Sequence, residues 1–100
     1  RENNSSFISF FKQEVSNSSL KDSTKRNHLS TLLLLQEFKR DIVFSDLTFE
    51  FVSSFEYFLQ QKGYHTNTIA KHMKHLKRHI NIAINKEYIE IHYGTYTHPA

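Results

Sequence analysis

One hundred residues, 38% of them hydrophobic and 23% charged, with a net charge of +3, make a single domain. Such a chain can bury one core but has no material for an enzyme cleft with its own lid. The absence of cysteine excludes disulfides, thiolate metal ligands and thiol redox chemistry. No apolar run approaches the length of a membrane span, and no signal-peptide pattern opens the chain.

Two glycines and one proline leave little turn chemistry for a sheet, so an all-α fold is expected. Nine Phe and five Tyr supply bulk in the absence of Trp. The bare start at Arg1 and the abrupt end at Ala100 suggest a piece of something longer. Charge is distributed in blocks: residues 23–40 and 63–86 are basic, while 41–62 and the tail are acidic.

The first element is a short amphipathic helix over residues 5–17, in which Phe7, Phe11 and Val15 recur at i, i+4, i+8. Asn17, Ser18 and Ser19 break it. Ser23 is placed to cap a second helix running to about Arg40. Leu35, Phe38 and Ile42 form one stripe of that helix together with Thr31 and His28. Leu29 and Leu33 point away, on the side of Arg26 and Arg40. The expectation is that both sides are buried between neighbouring helices; contact of Leu29 and Leu33 with another domain or protomer is the alternative.

Asp41 to Leu47 reads as a connector. Thr48 then caps a third helix over residues 48–62, with Phe51, Val52, Phe55, Phe58 and Leu59 as a broad core face and Glu50 and Glu56 as its acids. Gly63 fits the left-handed position that ends many helices, because it has no Cβ to clash. The fourth helix, residues 66–86, is expected to be capped by Thr66. Its core stripe is Ile69, Met73, Leu76, Ile80 and Ala83, with Ile84 at the edge. Lys71, Lys74, His75 and Arg78 project from the opposite side, and no Asp or Glu occurs between Tyr64 and Lys86. A helix anchored on one face and only cationic or titratable on the other suits a polyanion. Tyr88-Ile89 can fold back onto the bundle, and residues 92–100 read as a tail or the start of a linker. The domain proper is thus expected to span 1–91, as a four-helix bundle with short antiparallel connections.

The stretches DSTKRNHLSTLLLLQEF and DLTFEFVSSFEYFLQQKGYHTNTIAKHMKHLKRHINIAINKEYI carry a family resemblance. A Thr opening helix two (Thr24), an aromatic-rich third helix (Phe51–Leu59), then Gly63, the Thr66–Ala83 run and Tyr88-Ile89 follow in order. This set resembles the SAM-like core-binding domain of tyrosine recombinases of the phage-integrase type, most of all those of Bacteroides-like mobile elements. The family often continues into Asn-Pro-Phe after this point, whereas Glu90-Ile91-His92-Tyr93 stand here.

The resemblance implies a domain that clamps duplex DNA together with a C-terminal catalytic domain, which this stretch does not contain, in a cytoplasmic bacterial protein. It implies DNA contacts from Thr24, Lys25 and Arg26 at the start of helix two. From helix four it implies Thr66, Asn67, Thr68, Lys71, Lys74, His75 and Arg78. The small polar residues at the two helix starts are added by the resemblance; free amides there also meet phosphate. The implied partners are double-stranded DNA, the protein's own catalytic domain and other recombinase protomers. The isolated stretch is expected to be monomeric, free of membrane contact and without a cofactor. Tyr57, Tyr64, Tyr88, Tyr93 and Tyr96 are not expected to be the family's nucleophile, because the arginine pair it needs is absent nearby. No catalytic residue is therefore expected.

Two rival readings exist. His72, His75 and His79 run along one flank of helix four, and two imidazoles at i, i+4 can share a zinc ion. The flank has no neighbouring carboxylate on its helix and has cationic neighbours, so no metal site is expected. The second rival is a helical protein-interaction module built on Leu29 and Leu33, without nucleic acid. Hydrolase or transferase chemistry lacks its ingredients: no carboxylate pair, Ser/His/Asp set or Gly-rich phosphate loop can be placed.

Overall fold

The computed structural model describes residues 6–86. The expectations for Tyr88-Ile89, for the tail from His92 and for a domain limit at residue 91 lie outside the described residues. Within them the chain forms α1 (Phe7–Asn17), α2 (Asp22–Phe38), a 3-10 turn (Phe44–Asp46), α3 (Phe49–Gln61) and α4 (Thr66–Asn85). The all-α expectation holds: among the described residues the sole β feature is an isolated bridge between Ser6 and Val43.

Each helix follows its apolar period. Phe7, Phe11 and Val15 of α1 are buried, joined by Ile8 and Phe10. Val52, Phe55 and Leu59 of α3 meet the α4 stripe of Ile69, Met73, Leu76, Ile80, Ala83 and Ile84 in one continuous core. The expected connector is more than a link. Phe7 donates its amide to Ile42 O at 2.8 Å, and Ile42, Phe44 and Leu47 all enter the core. Asp46 accepts the Val43 amide at 3.0 Å and lies 3.5 Å from Lys39 Nζ, which fixes the turn between α2 and α3.

The helix starts divide into two kinds. Thr48 caps α3 as expected, its Oγ1 accepting the Phe51 amide at 3.1 Å. Ser23 and Thr66 do not cap: α2 begins two residues earlier than a Ser23 cap would place it, with Lys21 at the cap, and α4 takes His65 there, neither with a side-chain cap bond. The Ile69 amide donates to His65 O and the Lys25 amide to Lys21 O, each at 2.9 Å, so Thr66 and Ser23 lie inside the first turns of their helices. Gly63 takes φ +86° and ends α3 as expected, with Tyr64 and His65 leading into α4.

On α2 the expectation of two buried sides fails. His28, Thr31, Leu32 and Leu35 face inward, but Leu29 is 38% and Leu33 66% exposed. Among the described residues α1, α3 and α4 cover only part of the circumference of α2, and the strip carrying Leu29, Leu33 and Arg26 is exposed.

Candidate nucleic-acid interface

Because α4 turns Ile69, Met73, Leu76 and Ile80 into the core, the 100° step of the helix puts Asn67, Lys71, Lys74 and Arg78 on the side facing out. All four are exposed. Eleven residues separate the first from the last, so the strip runs about 16 Å. That is on the order of five base-pair steps of duplex DNA. No carboxylate lies on α4.

Beside the strip, Lys74, Lys77, Arg78, Asn81, Ala70 and Met73 line a groove with Glu56 of α3. Lys77 was not among the expected contacts. It stands at the margin between the core stripe and the basic face, where periodicity alone does not assign it to either. Glu56, one of the acids of α3, borders this basic face.

The remaining expected contacts are distributed differently. Thr66 is exposed and Thr68 half-buried at the start of α4. Thr24 and Lys25 are half-buried, and Lys25 Nζ donates to Ser16 O at 3.2 Å, closing the end of α1. Arg26 is exposed on the outward strip with Leu29 and Leu33. The two helix starts do not converge. His28 lies opposite His79, and Thr31 opposite His72 and His75, so α2 and α4 are antiparallel. Thr24–Arg26 therefore sits near the Arg78 end of the strip, and Thr66–Thr68 at the other end.

His75 does not project with the lysines. It is half-buried, its Nδ1 is 2.9 Å from Thr31 Oγ1, and its ring stacks on His28 at 4.1 Å. Burial first, then His28, His72, Lys71 and Lys74, push its pKa down to about 4. At neutral pH it is an uncharged part of the helix seam and brings no cation to the surface. His72 is buried with Nδ1 2.7 Å from Thr31 Oγ1. His79 is 2% exposed, stacks on Phe11 at 4.0 Å and places Nε2 3.0 Å from His28 Nδ1. Among the described residues no group of three or more His, Cys, Asp or Glu is arranged to hold a metal ion. The spacing of His72, His75 and His79 marks a flank in the sequence. Their joining to His28 and Thr31 across the seam is invisible until the helices are packed.

The chain matches the phage integrase SAM-like domain family over residues 6–97, and it belongs to that family. It corresponds to the SAM-like helical domain of integrases and not to their catalytic domain. Neither the curated proteins nor the solved structures contain a match to it. No helix among the described residues is long and apolar enough to cross a membrane.

Proposed function

We propose that this domain is the core-binding domain of a tyrosine recombinase, holding duplex DNA at a recombination site while a separate catalytic domain cuts and rejoins strands. The observation that carries the reading is the uninterrupted exposed strip of Asn67, Lys71, Lys74 and Arg78 on a helix free of carboxylates. Lysine and arginine dominate it, so contact is mostly to phosphate, with Asn67 and Thr68 as base-edge readers at one end. Arg26 and the start of α2 extend the footprint beyond the Arg78 end. The exposed Leu29 and Leu33 supply an apolar strip for the catalytic domain or a neighbouring protomer. The setting is the bacterial cytoplasm.

The test is the salt dependence of duplex DNA binding. With four to six cationic side chains engaged, log affinity against log salt falls with a slope of about −4 to −5. The isolated domain binds at roughly 10⁻⁴–10⁻⁶ M, as sequence-independent contacts do. Changing Lys71, Lys74 and Arg78 together to Ala weakens binding and flattens the slope by about three. Glu56→Gln strengthens binding, because it removes an acid bordering the groove. If the triple variant binds with an unchanged slope, the strip is not the interface. Binding that is lost instead on changing Leu29 and Leu33, with no salt dependence, would favour the protein-interaction reading.

A further inference from the structure

The five polar side chains His28, Thr31, His72, His75 and His79 meet between α2 and α4, and the DNA reading uses none of their inward contacts. We propose that this network is an acid-sensitive lock: with neutral imidazoles it holds α4 against α2 in one register, and added protons force the seam open.

The geometry follows from counting hydrogens. His79 Nδ1 is buried and has no hydrogen-bond partner, while its Nε2 lies 3.0 Å from His28 Nδ1. A neutral pair has one hydrogen to place between these two nitrogens. If His79 Nε2–H donates to His28 Nδ1, the orphaned Nδ1 is only a bare lone pair. The opposite tautomer puts an unsatisfied N–H there, which is the more expensive arrangement. Now add a proton to the pair. If His79 takes it, Nδ1 gains a hydrogen. If His28 takes it, His28 Nδ1–H must donate to His79 Nε2, and the His79 hydrogen must move to Nδ1. Either way a buried N–H without an acceptor appears on a charged pair. Only a donor facing a donor at 3.0 Å avoids it.

The other half of the network is more tolerant. Thr31 Oγ1 donates to one of the two ring nitrogens, His72 Nδ1 or His75 Nδ1, and accepts from the other. If both donate, the hydroxyl hydrogen turns to Asn27 O at 3.4 Å. The seam therefore breaks at the His28–His79 pair, where Phe11 covers the His79 ring.

Among the described residues no neighbouring element neutralises the charge. From α1, Glu14 shares a small cavity with His79, Arg78 and Lys86, but its Oε2 is bound to Lys86 Nζ at 2.6 Å. From α2, Lys25 is turned to Ser16 O. From α3, Glu56 lies in the groove with Lys74, Lys77 and Arg78. The turn before α4 contributes the ring of Tyr64, 6.2 Å from that of His72. On α4 itself Lys71, Lys74 and Arg78 add repulsion. Burial and these cations lower the pKa of all four histidines, and those of His75 and His79 to about 4.

The sign follows from these shifts. The folded pKa values lie below the unfolded value of 6.5, so the unfolded chain binds more protons between about pH 6.5 and 4. Stability is complete above pH 6.5 and falls as pH drops through that window. His75 and His79 alone raise the unfolding constant on the order of 10³-fold between pH 7 and pH 4.5.

The experiment needs no DNA, so its outcome is separate from that of the DNA reading. Urea unfolding of the protein is followed from pH 7 to 4.5, alongside NMR titration of the ring nitrogens. We expect His79 in the Nε2–H form at pH 7, at least two protons taken up on unfolding across the window, and folded His75 and His79 still neutral at pH 5. The variant H28Q/H79Q, which stays uncharged, is expected to lose part of that uptake. Where this variant does not fold, the titration of the unaltered protein decides. Histidines that titrate near 6.5 in the folded protein, or unfolding without proton uptake, would overturn the proposal.

Discussion

Truncation of Phe55 probes whether α3 is oriented as the core requires. Its side chain is 0% exposed, and its ring lies 5.7 Å from that of Phe38 and 6.1 Å from that of Phe58. Those neighbours are held by their own helices and cannot collapse fully into the gap. Phe55→Ala therefore forfeits both the transfer energy of the ring and the contacts around the void, about 3–5 kcal/mol. For a domain of this size that lowers Tm by at least about 12 °C. It also removes a large share of a total stability on the order of 5–15 kcal/mol. Urea unfolding followed by far-UV circular dichroism measures the loss, with the slope against urea unchanged if the denatured state is unaffected. Phe49→Ala is the control: that ring is 61% exposed, and its loss changes stability by about 0.5 kcal/mol or less. A loss below about 1 kcal/mol at Phe55, or an equal loss at Phe49, would refute the orientation of α3.

The helix starts give a second prediction. Thr48→Ala removes the bond to the Phe51 amide and lowers stability by about 1 kcal/mol, whereas Thr66→Ala, which removes no cap, is close to neutral; His65→Asp gains about 1 kcal/mol by supplying the missing acceptor. Urea midpoints of the three variants check this. At Gly63 an added Cβ meets nothing within 4 Å, so Gly63→Ala registers only backbone strain at φ +86°. The expected loss is about 1–2 kcal/mol, and Gly63→Asn should lose less, because Asn tolerates the left-handed region.

What the sequence determined by itself is the part governed by short range. The 3.6-residue period of Phe7, Phe11 and Val15, or of Ile69, Met73, Leu76 and Ile80, defines a helix and its inner face before any partner is known, because burial rewards one stripe and solvation the other. The same period displays Lys71, Lys74 and Arg78, and the need for a left-handed residue makes Gly63 a stop. Thr48 was legible as a cap because its hydroxyl stands directly before the apolar period of α3.

Tertiary structure decided whatever depends on which helix lies against which. His75 shares its face with lysines on a helical wheel, yet packing against Thr31 and His28 makes it a neutral seam residue. Leu29 and Leu33 are as apolar as Leu35, but only the placement of α1, α3 and α4 around α2 leaves them exposed. Ser23 and Thr66 were sound caps by local chemistry, yet the helices start earlier, with Lys21 and His65 at the caps. Local propensities differ here by about 1 kcal/mol, whereas misplacing a single buried side chain sacrifices several. Where the two conflict, packing prevails.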